Sequence, residues 1–249
     1  MDKLIYTAMS GMSDSMTRQR VIASNMANAQ TIGFRAEMLY STPVTLKGPA
    51  LEARAMTSGE VKGTDMRQGS VNATGNDLDI AIKGGAMMAV QAADGSEVYT
   101  RRGDLSVSAT GVLSNGDGRP VIGNGGPITV PTEGHIKIGP DGTVMATDPQ
   151  NPNLQPTVVD KIKLAGTDGF RIEKGMDGFF RVVGGGVLPT DDNAQVSVGA
   201  LEQSNVSPSQ VMVEMVQAQR LFDIRTKLLS TAKDVDQSGT SLLRQSAGS

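Results

Sequence analysis

Two hydrophobic patterns bracket the chain. Near the start, Ile5, Met9, Met12, Met16, Gln19, Ala23 and Met26 recur at alternating spacings of four and three. That spacing puts them on one helix face and predicts an amphipathic N-terminal helix with a coiled-coil-like seam. Gly11 inside this run costs about 1 kcal/mol against Ala, so the helix is expected to firm up only when packed. Near the end, Leu221, Ile224, Leu228, Val235 and Leu242 keep a heptad seam, with Thr231 and Ser238 filling two of its positions. A second stripe of Met215, Ala218, Phe222, Leu229 and Ala232 runs beside it, which predicts a helix buried on more than one side. Ser207 as a cap, Pro208 at the first helical position and Gln210 closing a capping box mark its start. The pattern runs on to about Arg244, roughly 55 Å at the α-helical rise.

Between the helices the period changes to two. Asp77-Leu78-Asp79-Ile80-Ala81-Ile82, Asp104-Leu105-Ser106-Val107 and His135-Ile136-Lys137-Ile138 alternate polar and apolar, as half-buried strands do. Asp94-Gly95, Asn115-Gly116, Asp117-Gly118, Asn124-Gly125 and Asp141-Gly142 are hairpin signals. Met176-Asp177-Gly178 marks a further hairpin within Glu173–Val183, and Pro149–Pro156 reads as a loop. Residues 41–200 hold 26 of the 30 glycines and 10 of the 11 prolines, which confines helices to the two ends. The expected fold class is therefore α+β: long N- and C-terminal helices pairing as a coiled-coil-like domain, with a central all-β domain of short strands. The expected division is 1–30 for the N-terminal helix, 31–70 for an extended linker, 71–200 for the β-domain and 201–249 for the C-terminal helix.

Composition then excludes several functions. A net charge of −3 argues against a nucleic-acid partner, which needs a Lys/Arg excess on one face. The largest basic cluster, Arg101-Arg102, reads as a solvated strand end. Cys is absent, so disulfides, thiolate metal sites and Cys nucleophiles are excluded. No apolar stretch approaches the ~20 residues of a membrane span, so no direct membrane insertion is expected. The N-terminus carries no basic region followed by an apolar one, so no cleaved signal peptide is expected.

Candidate chemistry is sparse. His135 is the one histidine and reads as a surface or edge residue. Gly123-Asn124-Gly125-Gly126-Pro127 lacks phosphate-loop spacing, and Pro127 removes a backbone N–H, so it reads as a turn. Asp77 with Asp79, and Asp191 with Asp192, are the paired carboxylates. The first pair would share a strand face, which a glycosidase or Ca²⁺ site could use, and a solvated face explains it as well. Asp141-Gly142-Thr143 lacks the later ligands of an EF-hand loop. No catalytic residue, metal site or cofactor is assigned.

Three stretches together carry a resemblance. The first is Ala23-Ser24-Asn25-Met26-Ala27-Asn28-Ala29-Gln30-Thr31-Ile32-Gly33-Phe34-Arg35. Within it Asn25 and Asn28 suit a helix end, Gly33 suits positive φ, and Phe34 suits a plug into a neighbouring surface. The second is Gly75–Gly84, continuing through Tyr99–Leu105 and Thr110–Leu113. The third is Leu201–Val206 followed by Met215-Val216-Gln217-Ala218-Gln219-Arg220-Leu221-Phe222. Together they resemble the flagellar basal-body rod and hook family, closest to its proximal-rod members. One departure is Ala86-Met87-Met88, where many members carry an aromatic pair.

The resemblance implies a structural subunit of the rod, the drive shaft that transmits torque for motility. It implies polymerisation through the terminal helices with itself and with neighbouring proximal and distal rod subunits. It further implies export through the flagellar type III apparatus and a place in the basal body, in the periplasmic space. The assembly interface is expected at Ile5, Met9, Met12, Met16, Asn25, Asn28, Gly33, Phe34, Gln219, Arg220, Leu221, Phe222, Ile224, Leu228 and Leu242. A distal-rod or hook relative, a secreted β-rich adhesin with a coiled-coil stalk, and a glycosidase built on Asp77 and Asp79 are the rivals.

Overall fold

The computed structural model describes residues 2–45, 55–132, 134–148 and 155–246. Most of the expected loop Pro149–Pro156 lies outside them. Among the described residues the chain has two helices, α1 (Asp2–Ala27) and α2 (Pro208–Ser246). Between them run β1 (Glu37–Thr45), β2 (Ala55–Thr64), β3 (Val71–Ala73), β4 (Ile80–Ile82), β5 (Met87–Gln91) and β6 (Glu97–Thr100). Next come β7 (Leu105–Val107), β8 (Leu113–Asn115), β9 (Ile122–Gly123), β10 (Gly126–Pro127), β11 (His135–Ile138) and β12 (Thr143–Thr147). Last are β13 (Thr157–Lys161), β14 (Leu164–Ala165), β15 (Ile172–Lys174), β16 (Phe180–Val182), β17 (Val196–Val198) and β18 (Ala200–Glu202). The chain divides into two compact units: Met1–Ala27, Glu37–Lys62 and Ser207–Ser249 form a helical unit, and Asn28–Ala36 with Gly63–Val206 form a β-rich unit.

The β-rich unit is a set of small sheets. The largest has five strands in the order β14-β5-β6-β16-β15, and β11-β12-β13 form a three-stranded sheet with a register shift at Val144/Met145. Two-stranded pairs complete the unit: β9 with β10, β4 with β17, β3 with β18 and β7 with β8. Four of the six Asp-Gly and Asn-Gly pairs turn between paired strands, β5 and β6, β9 and β10, β11 and β12, and β15 and β16; Asn115-Gly116 and Asp117-Gly118 instead form the turn between β8 and β9, closed by a single Ser114–Pro120 bridge. β5 explains the packing. Met88 and Val90 face one apolar cluster with Ile80, Val98, Leu113 and Val121. Met87 and Ala89 face a second with Tyr99, Phe180 and Leu188. Successive side chains of a strand point to opposite faces, so a strand covered on both faces is apolar at every position. Met87 and Met88 suit these two opposite faces because unbranched thioethers conform to irregular apolar surfaces.

The helical unit corrects the expectation of coiled-coil-like pairing. A knobs-into-holes seam would bury its apolar positions, yet Met9 and Met16 are each 56% exposed, Ile224 59% and Leu228 50%. Where α1 meets α2 the contact is partly polar. Arg225 Nη1 donates to the Gly11 carbonyl and to Ser15 Oγ, and lies 3.6 Å from Asp14 Oδ2. A Cβ at Gly11 would stand 3.6 Å from Arg225 Nε, an ordinary contact, so this packing does not itself require glycine. The seam pattern identified the apolar face of each helix but not its cover. Its positions Gln19, Thr231 and Ser238 are polar, which weakens any closure within one chain. At the start of α2, Gln210 Nε2 donates forward to Glu214 Oε1 (3.1 Å) instead of back to the helix cap.

Candidate assembly site

The expected interface residues fall into two groups. On the helices, Met9, Met16, Gln219, Arg220, Ile224 and Leu228 are exposed, while Met12, Leu221 and Phe222 are half-buried. Ile5 and Leu242 lie outside the residues whose side chains are described. Further exposed apolar side chains on α2 are Met212, Val213, Val216 and Val235, none of them singled out by the heptad reading.

The second group turns inward. Asn25 Nδ2 donates to the Glu37 carbonyl (3.0 Å) and its Oδ1 accepts from Glu37 N–H (2.8 Å), so one side chain binds both backbone groups at the start of β1. Asn28 Oδ1 accepts from Thr31 Oγ1 at 3.1 Å. Phe34 lies beneath Lys174, whose Nζ stands 3.4 Å from the ring centroid in cation–π contact. Gly33 has φ +68°, and its N–H donates to the Glu202 carbonyl at 2.8 Å. A Cβ there would lie 2.5 Å from Arg101 C and Arg102 N, so the close approach requires glycine.

This approach leads to a charged cluster the sequence did not reveal. Arg101, read above as solvated, is 1% exposed, as are Arg35 and Glu202. Arg101 Nε and Nη2 donate to Glu202 Oε2 at 2.9 and 2.7 Å. Its remaining N–H groups go to the carbonyls of Ile82 (2.5 Å), Gly84 (2.8 Å) and Ala86 (2.6 Å). Arg35 Nη2 pairs with Glu202 Oε1 at 2.7 Å and Arg35 Nη1 donates to the Arg67 carbonyl. Burial pushes the Arg35 guanidinium down to about 10; Glu202 opposes this and Arg101 adds to it. Asn205 stitches the same region, accepting from Ala36 N–H (2.8 Å) and donating to the carbonyls of Asp65 (2.8 Å) and Arg67 (2.9 Å). The signal for this cluster was the joint presence of the three motif stretches, each of which contributes one of the charged residues.

The carboxylates considered for catalysis are engaged in structure. Buried Asp79 accepts from Thr74 Oγ1 (2.6 Å) and Asn76 Nδ2 (3.0 Å). Half-buried Asp77 faces His135 Nε2 at 2.9 Å, on edge strand β11. Asp191 Oδ1 accepts from Asn193 N–H (3.0 Å) and Asp141 binds Thr143. Among the described residues no group of three or more His, Asp or Glu side chains could hold a metal ion. No described helix is long and apolar enough to cross a membrane.

Comparison with known proteins bears on all three stretches. Family models match at residues 5–35 (flagella basal body rod protein), 81–146 (flagellar hook protein FlgE/F/G D1 domain) and 197–242 (flagellar basal body rod FlgEFG protein C-terminal). The chain is 38% identical to the flagellar basal-body rod protein FlgF of Salmonella typhimurium, over 99% of this chain and 100% of that one. It is 39% identical to FlgF of Escherichia coli, over 94% and 95% of the two chains. To the rod protein FlgG of Bacillus subtilis it is 28% identical, over 96% and 98%. Family models at both ends and in the middle, with identity running along nearly the whole length, leave one conclusion. The chain belongs to the flagellar basal-body rod protein family, as an FlgF-like structural subunit that assembles with other rod proteins in the flagellar basal body.

Proposed function

We propose that the chain is a non-catalytic subunit of the proximal rod and that its helices supply the contacts with neighbouring subunits. The observation that carries this is the row of exposed apolar side chains on the helices: Met9, Met16, Val216, Ile224, Leu228 and Val235. Contiguous exposed apolar surface marks an interaction site. Among the described residues these side chains are left uncovered, and relatives named as rod proteins supply the kind of neighbour that would cover them. Met12, Gln219, Arg220, Leu221 and Phe222 border this row and belong to the same contact, as do Ile5 and Leu242 by their helical spacing. Asn25, Asn28, Gly33 and Phe34 shape the segment that follows α1. Engaged carboxylates at Asp79 and Asp191 support a chain without enzymatic activity. On this reading the subunit passes through the flagellar type III export apparatus without a cleaved signal and works in the periplasmic space.

Leu228→Asp places a charge in the exposed row. The variant should retain the unfolding midpoint of the wild type, be missing from purified hook–basal bodies by mass spectrometry, and leave cells non-motile. Normal incorporation with full motility would overturn the proposal.

A further inference from the structure

We infer that Glu202 bridges a buried lock that holds together the two segments leading to the helices, and that this lock opens first at Arg35. Three separate parts of the chain meet on one carboxylate. Arg35 lies between α1 and β1, Arg101 follows β6 of the five-stranded sheet, and Glu202 ends β18 just before α2. Glu202 gives Oε1 to Arg35 and Oε2 to Arg101, and Oε1 also accepts from Gly69 N–H at 3.1 Å. Its own carbonyl holds Gly33. One residue thus ties segments 33–35 and 65–69 to the sheet.

Net stability is a poor reason for such a cluster. A buried ion pair can usually be replaced by apolar residues of similar volume at no loss, whereas removing one partner strands a buried charge. Here two guanidiniums share one carboxylate, so losing Glu202 leaves two like charges buried together. Losing Arg35 leaves the neutral pair of Arg101 with Glu202. The two arginines are also unequally held. Arg101 has every N–H donor engaged, whereas Arg35 Nε is buried without a partner. Arg101 is therefore the fixed post and Arg35 the arm that releases, freeing the segment after α1 while Glu202 stays on the sheet. What the cluster supplies is a single geometry for segments 33–36, 65–70 and 203–205 within the β-rich unit; its value for assembly rests on the proposed function above.

Hydrogen exchange by mass spectrometry on the purified full chain tests the lock. In Arg35→Met, peptides covering 33–36, 65–70 and 203–205 should exchange at least about tenfold faster, since Gln203 N–H donates to Ser70 and Asn205 N–H to Phe34, with 80–86 unchanged. In Glu202→Gln, all the linked segments, 80–86 included, should exchange at least about a hundredfold faster. An apolar triple variant, Arg35→Met with Arg101→Met and Glu202→Leu, keeps the test open if Glu202→Gln fails to fold. It should unfold near the wild-type midpoint, retain fast exchange at 33–36, and be depleted from hook–basal bodies. Identical exchange profiles for Arg35→Met and Glu202→Gln would overturn the bridge. Wild-type incorporation of the triple variant would overturn the positioning role, whatever Leu228→Asp shows. A normal Leu228→Asp particle would instead leave the exchange result intact.

Discussion

Gly33→Ala tests whether the segment after α1 is seated as tightly as its geometry states. Two costs combine. An L-residue at φ +68° pays about 1–2 kcal/mol. The new Cβ would also stand 2.5 Å from Arg101 C and Arg102 N and 2.6 Å from the Arg101 carbonyl oxygen. All three are backbone atoms of a segment whose next-door side chain is locked on Glu202, so the chain at residue 33 must retreat. That retreat stretches the 2.8 Å bond from Gly33 N–H to Glu202, worth about 1 kcal/mol. Ala regains about 0.4–1 kcal/mol by restricting the unfolded chain. The net loss should reach about 1–2.6 kcal/mol. Gly118 is the matched control: its φ is +71°, yet a Cβ there meets nothing within 4 Å, so Gly118→Ala should cost about 1 kcal/mol less than Gly33→Ala, about 0–1.6 kcal/mol. In scanning calorimetry of the full chain, Gly33→Ala should lower the midpoint of the β-rich unit by about 2–10 °C and by about 2–4 °C more than Gly118→Ala. Equal shifts for the two variants would refute the close approach, since conformation alone would then account for both.

Two further predictions concern the core and the surface charge. Met88 is fully buried and Met176 fully exposed, so Met88→Ala should cost about 2–5 kcal/mol in urea unfolding while Met176→Ala stays within about 0.5 kcal/mol. The Asp65 carboxyl is held below its ordinary 3.8, chiefly by the Arg67 side chain against partial burial. Between its folded value and 3.8 the unfolded chain binds more protons than the folded one, so this contribution is present above about pH 4 and lost as pH falls below it. Asp65→Asn should accordingly flatten the loss of urea midpoint below pH 4, by no more than the worth of a surface pair, about 1 kcal/mol.

What could be read in the sequence follows from the range of each interaction. Helix ends and turns are written by neighbours: Pro208 opens α2, and Asp94-Gly95 turns β5 into β6. Alternation found β11, whose burial runs exposed, buried, exposed, buried. It was weaker at β4, where Asp77 and Leu78 fall in a turn and the strand proper is only Ile80–Ile82. Arg101 was misread because its burial depends on a carboxylate 101 positions away and on three carbonyls, none visible in local pattern. Asn205 was quoted within a motif without a role for the same reason: its partners lie 138 to 169 positions upstream.

The heptad seam failed differently, and the failure is informative. A period of 3.5 states that one helix face is apolar; it says nothing about what covers that face. In the β-rich unit the cover is internal: β5 lies between two apolar clusters, and Met87, Met88, Ala89 and Val90 all reach zero exposure. In the helical unit Val21, Ile22, Val211 and Ala218 are buried along with the polar Asp14, Ser15 and Asn25, whereas several of the largest apolar side chains, Met9, Met16, Ile224 and Leu228, remain in water. Such helices take only part of their packing from their own chain, since helical stability comes mainly from packing an apolar face. At roughly 25 cal/mol per Å² of apolar surface removed from water, the rest is left for a neighbour to supply. On the proposed function, a rod subunit completes the core of its β-rich unit alone and takes the packing of its exposed helix faces from assembly.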